Sequence, residues 1–285
     1  MEDLKQIAAD INGALEKRRK ELRLSFIEEK HIYWMQDVDG KIKKSFPSVS
    51  KIVKLFHAPF DAPKKALEMA NGNVQEQQRL LLEWKTSGEI STNLGSRSHF
   101  YLEEDLVRRN GSYKEVRQPI FRCDEEQIAK SDRMITAGKQ YLDLMEERGA
   151  VLLDTEIILG DPILGYTGQP DKAWIMMNKD KSNYGLAITD WKTNQPKNFV
   201  PQWYNKNLYP PFQNFRDTAL GHYQIQIPLY AKLLIKMLEN TPYADLKLLG
   251  GVIVLLKEDG TYEEFRVPAE MNAIIMNMNL KNYLK

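Results

Sequence analysis

The sequence predicts an α/β domain, a central mixed β-sheet flanked by helices, with a mostly helical N-terminal part. Three observations predict it. Residues 48 to 147 carry helical periodicity, with N-cap candidates at Ser48, at Ser91 or Thr92, and at Asp124. Apolar runs of strand length follow, "AVLLDTEIIL", "QPDKAWIMM" and "YGLAITDWK". The long apolar helix "TALGHYQIQIPLYAKLLIKMLEN" then separates them from two further strand-like runs, an order that gives an α/β or α+β single domain.

Residues 2 to 22 read as a helix, and "FIEEKHIYWMQDVDGKIKKSF" reads as a hairpin turning at Asp39-Gly40. Together they form an N-terminal extension, residues 1 to 45, ahead of the main domain, residues 46 to 285. Helices are expected at about 48 to 57, 61 to 71, 74 to 87 and 92 to 109, with a longer one at 124 to 147. Strands follow at 150 to 159, 169 to 177 and 184 to 192, with the polar run "NKDKSN" as a hairpin loop. Pro228 should kink the later helix or mark where it restarts. "LKLLGGVIVLLK" and "TYEEFRVP" supply two more strands around Asp259-Gly260, and a helix closes the chain near 269 to 283.

Hydrophobic residues make up 42% of the 285 and charged residues 28%, the mix of a soluble globular protein. Lys and Arg number 40 against 39 Asp and Glu, so any nucleic-acid surface must come from local segregation of charge. The single cysteine, Cys123, excludes an intramolecular disulfide, a four-cysteine zinc site and a cysteine-ligated iron-sulfur cluster within one chain. A reducing compartment fits best. No apolar run approaches the ~18 residues of a membrane span, and the first residues form neither a signal-peptide core nor an acid-poor transit peptide. The expectation is a cytoplasmic protein of a bacterial or phage-infected cell, with no membrane partner.

The pattern acid-x-Lys begins at Asp3, Glu28, Asp39, Glu83, Asp190 and Asp245, so it selects nothing by itself. Context separates one copy from the others. Asp190 ends an apolar strand whose hairpin partner carries Asp171, in "GYTGQPDKAW". Strand side chains alternate faces, so Asp190 and Lys192 share a face about 6.6 Å apart, with Ile188 continuing it and Trp191 on the other. Two carboxylates brought together across a hairpin repel each other unless a cation lies between them, and oxygen ligands suit Mg²⁺ or Mn²⁺. A cross-strand ion pair capping the sheet explains the same residues, and spacing does not choose between the two.

His99, in "NLGSRSHFYLEEDL", shares a helix stripe with Gly95, Glu103, Leu102 and Leu106. It is either a satisfied core histidine or a metal ligand. Glu156 is the one acid expected inside an apolar strand alternation, where it supports a metal or Lys192 or pairs with a nearby base. Gln226 and Tyr230 form an i,i+4 pair, with His222 one turn earlier on the same helix face.

Taken in order, His99 on a helix, Glu156 on a strand, "GYTGQPD" with Asp171, "ITDWKT" with Asp190 and Lys192, and "QIPLY" with Gln226 and Tyr230 resemble the PD-(D/E)xK nucleases of the RecB type. The chain is most similar to exonucleases of the mitochondrial genome-maintenance type and their phage and bacterial relatives, through the "FPSVSKIV" opening at residues 46 to 53 and the G-x-x-x-H helix. The resemblance covers residues 46 to 265 in islands. It implies a restriction-endonuclease-like core and a Mg²⁺ or Mn²⁺ held by His99, Asp171, Asp190 and the main-chain carbonyl of Trp191. Lys192 would be the catalytic lysine, with Glu156 beside it, and Gln226 and Tyr230 would steady the strand and the lysine. Thr193, Trp203 and Tyr204, with Gln226 and Tyr230, are the expected DNA contacts. Three departures stand out: the long spacing from Asp171 to Asp190, 190 − 171 = 19 positions, Pro228 within the Gln-Tyr helix, and the single cysteine where some relatives carry a four-cysteine cluster.

The connection "NQPKNFVPQWYNKNLYPPFQNFRD" interleaves aromatics with Lys197, Lys206 and Arg216. It is either a stacking platform for single-stranded bases or a loop pinned by its aromatics to the core. No G-x-x-x-x-G-K-[ST] loop occurs, so no nucleotide cofactor is expected, and processivity would come from wrapping the DNA or from a replication or recombination partner. The expected function is a metal-dependent DNA exonuclease acting on single strands or single-stranded ends. The alternatives are a structure-specific or restriction-type endonuclease, or a nucleic-acid-binding module with a decayed nuclease site.

Overall fold

A computed structural model describes residues 2–27, 30, 32–111, 116, 118–202 and 206–284. Its centre is a mixed sheet of five strands: β4 (Val151–Thr155), β7 (Lys172–Met177), β8 (Tyr184–Lys192), β9 (Leu248–Leu256) and β10 (Tyr262–Arg266). Their order is β10-β9-β8-β7-β4, with β8 and β9 parallel and the other pairs antiparallel. The β7–β8 hairpin turns through the expected polar loop. Helix α6 (Ala219–Met237) makes the crossover that a parallel neighbour requires.

The alternation along β8 divides the molecule into layers. Leu186 and Ile188 face one core with Ala173 and Ile175 of β7, closed by α6, by α1 (Glu2–Glu21) and by α2 (Val49–Val53). Ala187 and Trp191 face a second core with Trp174, under α4 (Val74–Arg109) and α5 (Glu125–Glu147). Helix α1 buries Leu4, Ala8, Ile11 and Leu15 in the first core, and so shares it with the main domain. Helix α3 (Ala62–Met69) leads into α4, and α7 (Ala269–Asn277) packs on α6.

The N-terminal hairpin turns where expected, between β2 (Ile32–Gln36) and β3 (Lys43–Phe46), with β1 (Ser25–Ile27) added on the other edge of β2. Asp124 caps α5 in a reciprocal capping box with Gln127. Ser48 occupies its N-cap position but makes no side-chain cap bond; its backbone bridges Thr167 instead.

Three expectations are corrected. The two helices expected at 74 to 87 and 92 to 109 are one helix of 36 residues, α4. Ser91 and Thr92 do not cap it, because the Thr92 hydroxyl donates back to the Gly88 carbonyl at 2.9 Å and leaves the backbone helical. The strand expected at 150 to 159 stops at Thr155, so Glu156 is not a mid-strand residue: its φ is +49° and its N–H donates to the Asp171 carbonyl at 3.0 Å. The chain turns there into a separate two-stranded sheet, β5 (Leu159–Asp161) with β6 (Tyr166–Gly168). Finally, of the two outcomes expected at Pro228, the restart does not occur: α6 is one helix through it, with the ring buried and the missing N–H costing one bond within a well-packed helix.

Among the described residues no helix is long and apolar enough to cross a membrane.

Candidate active site

The site lies where β8 runs parallel to β9 and reaches its C-terminal end, the place where open α/β sheets offer side chains to a ligand. Asp190 and Lys192 share one face of that end. Asp171 immediately precedes β7, and its Oδ2 accepts the main-chain N–H of Trp191 at 2.7 Å. This bond ties the first acid to the strand that carries the second, so the hairpin register sets their separation.

Helix α4 brings His99 against this pair. A Cβ on Gly95 would stand 3.0 Å from the Thr193 hydroxyl, so a glycine here lets the helix approach the residue after β8. One turn later the Nδ1 of His99 is 3.7 Å from Asp171 Oδ2. The donor atoms of His99, Glu156 and Asp171 all lie within 4.8 Å of one another. Asp190 is not one of that trio; its carboxylate is in direct ion-pair contact with the Lys192 ammonium. Helix α6 closes the other side with Tyr230, packed tightly enough that a Cβ on Gly168 would stand 2.7 Å from its ring. Gln226 is half-buried one turn earlier on the same helix.

The electrostatics follow from burying three carboxylates with two lysines. Burial raises the pKa of Glu156 well above the ordinary value, and the Asp171 charge adds to it. Asp190 is raised too, by burial and then by Asp171, against the pull of Lys192. For Asp171, burial is outweighed by His99, Lys172, Lys192 and the Trp191 N–H, which together hold it below the usual range. Burial lowers His99, which keeps the imidazole neutral with a lone pair available. Lys192 is held above the ordinary value, since Asp190 and Asp171 overcome the cost of burying it. Burial raises the phenol of Tyr230, with Asp190 and Asp171 opposing its ionisation further.

Glu156 sits at a strained place. A non-glycine residue in the left-handed region costs on the order of 1 kcal/mol, and such residues cluster at functional sites.

Other groups here lay beyond the sequence reading. Lys172 is 1% exposed, its Nζ lies 3.5 Å from the centre of the Trp191 ring and 3.9 Å from Asp171 Oδ2, and burial lowers its pKa to about 8. The signal was a lysine opening the apolar run "KAWIMM". Tyr223 places its ring 4.5 Å from the Lys192 ammonium and donates its hydroxyl to Asn194 at 3.0 Å. The signal was its i, i+3, i+7 stripe with Gln226 and Tyr230. Tyr33, from β2, donates to Gln169 at 3.3 Å, and Gln169 donates to the Glu156 carbonyl at 3.2 Å. A hairpin so distant in the chain gave no local cue.

The ring of Trp191 packs edge-on against Tyr141 in the second core and carries the Lys172 ammonium on its face, while its main-chain N–H holds Asp171. In the connection after β8, Phe199 and Phe212 are buried in the first core, which pins the loop, whereas Tyr209 is 46% exposed. Trp203 and Tyr204 lie outside the described residues. A cleft adjoining the end of β8 is lined by Thr193, Asn194, Lys197 and Lys257. No protein-family model and no curated protein matches the chain.

Proposed function

We propose that the protein is a divalent-metal-dependent DNA exonuclease of the PD-(D/E)xK type, acting on single strands or single-stranded ends. The observation that carries this reading is the hydrogen bond from Trp191 N–H to Asp171, which ties this half-buried acid to the end of the strand that bears the buried Asp190 and Lys192. Three carboxylates against two ammonium groups leave a deficit of positive charge in a partly buried site, the condition a bound cation relieves. The donor set is mainly carboxylate oxygen with one neutral imidazole, which fits Mg²⁺ or Mn²⁺.

His99, Asp171 and Asp190 would hold the ion, with Glu156 within reach and the Trp191 carbonyl as a main-chain donor. The ion would supply Lewis-acid polarisation of the phosphate and a bound water of lowered pKa. The chain's own residues do the rest. Lys192, fully charged, donates to the non-bridging phosphate oxygens, whose negative charge grows as water attacks. Tyr223 limits the motion of its ammonium from one side. Tyr230 and Gln226 buttress the strand end, and the cleft with Thr193, Asn194 and Lys197 offers a path for the backbone beyond the scissile bond. Water attacks directly, so no covalent intermediate forms.

Linear single strands labelled at either end, and closed circles of the same sequence, separate the readings when incubated with Mg²⁺, Mn²⁺ or EDTA. Metal-dependent loss of linear DNA alone supports the proposal. Cutting of circles supports an endonuclease, and binding without cutting supports a decayed site.

A further inference from the structure

We infer that His57, Asp217 and His222 form a second metal site, one that takes a transition cation of the Zn²⁺ class and fastens the loop before α6. The inference stands on its own geometry and does not depend on nuclease activity. Two of the four histidines of the chain meet there with a carboxylate.

Three segments converge. His57 follows the single 3₁₀ turn Lys54–Phe56, Asp217 ends the connection after β8, and His222 lies in the first turn of α6. Along that helix His222 is eight residues before Tyr230, about 12 Å at 1.5 Å per residue, so the cluster is separate from the carboxylate centre. Residues 207 and 216 bridge antiparallel, and Asp217 N–H donates to the Lys206 carbonyl at 2.8 Å. The loop is thus closed at its neck, and the donor atoms sit at that neck.

The donor atoms of the three residues all lie within 4.8 Å of one another. Around a tetrahedral zinc, donors stand about 3.4 Å apart and each metal lies in the plane of its imidazole, so the stacked rings of His57 and His222 must slide apart and turn for the set to reach a common centre. The tautomer is already suitable at His57. Its Nδ1 is 3.0 Å from the Ala58 carbonyl, which only accepts, so Nδ1 carries the proton and Nε2 bears the lone pair. A backbone carbonyl holding the far nitrogen is the usual support of a metal-bound imidazole. His222 Nε2 lies 2.7 Å from Asp217 Oδ1, and a cation would take the place of the proton now shared between them.

The two imidazoles stack at 4.0 Å with 21° between their planes. One carboxylate cannot neutralise two imidazolium rings so placed, whereas one divalent cation binds both rings in their neutral form. Two nitrogens and one oxygen favour Zn²⁺, Co²⁺ or Ni²⁺ over Mg²⁺, and three protein donors leave one position for water.

The test uses metal-stripped full-length protein, titrated with Co²⁺ and read by its visible d–d absorption, in the wild type and in Asp190→Asn. The expected result is a site that both proteins share, displaced by Zn²⁺ and not by millimolar Mg²⁺. His57→Gln and His222→Gln should each weaken it by more than about 100-fold, since loss of a mere supporting group already costs 10 to 100-fold. Absence of Co²⁺ binding, or binding that survives both substitutions together, overturns the proposal and leaves His222 and Asp217 a plain hydrogen-bonded pair. Binding that disappears with His99→Gln alone overturns it equally, by placing the metal in the other centre. Should the histidine variants fail to fold, ¹⁵N-imidazole spectra of the wild type decide: Zn²⁺ must shift His57 and His222, and unmoved resonances refute the site.

Discussion

Two histidine–carboxylate clusters occur among the described residues, and they are built differently. The centre of His99, Glu156, Asp171 and Asp190 is rich in carboxylates, sunk at the strand ends, and placed by the register of a hairpin and the close approach of a helix at Gly95. The cluster of His57, Asp217 and His222 is rich in imidazole, as buried as the trio of His99, Glu156 and Asp171, and placed by two loop residues and the first turn of α6. The number of charges makes the difference consequential. In the first, every charge is costly unless a neighbour or a cation offsets it, so pKa values spread apart. In the second, one carboxylate faces two imidazoles, and burial is again the largest influence, lowering His222 against the pull of Asp217.

The sharpest way to break this contrast is Asp190→Asn. It should lower the rate of DNA hydrolysis by about 10³-fold or more, because charge stabilisation at the reacting phosphate is lost. Labelled-strand digestion would show it, and near-normal cutting would remove the buried cluster from the chemistry.

Lys172→Met tests the cost of burial itself, in EDTA. Burial holds this lysine at about 8 in the fold, below its ordinary value, so between about pH 8 and 10 the unfolded chain binds more protons and stability rises with pH. The variant should abolish that rise, worth roughly 3 kcal/mol in all. Denaturant midpoints across the window measure it, and an unchanged slope would mean that Lys172 is not the group responsible.

Glu156→Gln asks whether the buried acids await a cation. The fold raises the pKa of Glu156, so in metal-free protein its stabilising effect is present at acid pH and is lost as pH climbs past the ordinary carboxylate value. Mg²⁺ should restore stability, by about 2.7 kcal/mol at a hundredfold excess over its dissociation constant. The glutamine variant should show a flatter pH profile and a smaller Mg²⁺-dependent rise in melting temperature. An equal rise in both proteins would exclude Glu156 from the metal's surroundings.

His57→Gln should have the smallest effect. Without added metal it alters stability by no more than about 0.5 to 1 kcal/mol, as expected for a half-buried group with one local hydrogen bond. A larger loss in a thermal melt would show that the second cluster is as tightly coupled to the core as the first.

Much of this was legible along the chain because it is local. The apolar run in "YGLAITDWK" between polar stretches gave the bounds of β8, and the two-residue period of any strand gave the shared face of Asp190 and Lys192. Asp124 announced α5 as an N-cap candidate, and the structure adds the reciprocal bond with Gln127. Ser91 and Thr92 misled because the same hydroxyl that caps a helix can bond back to its own helix, and only continuation of the backbone decides which. Glu156 misled because an apolar alternation continues through a residue whose backbone has already left the sheet. Lys172 and Tyr223 were missed because their importance lies in partners far along the chain, the Trp191 ring and the Lys192 ammonium.

What the amino-acid order determined by itself was the kind of most elements, the shared face of Asp190 and Lys192, and the absence of a cysteine-based metal site, since periodicity and residue type are properties of short segments. Only the tertiary structure decided that His99 meets Asp171 and Glu156, that Tyr33 from a remote hairpin stands behind Glu156, and that His57 meets His222. Those meetings depend on chain closure over long separations, where packing and burial set the geometry and no local pattern records the outcome.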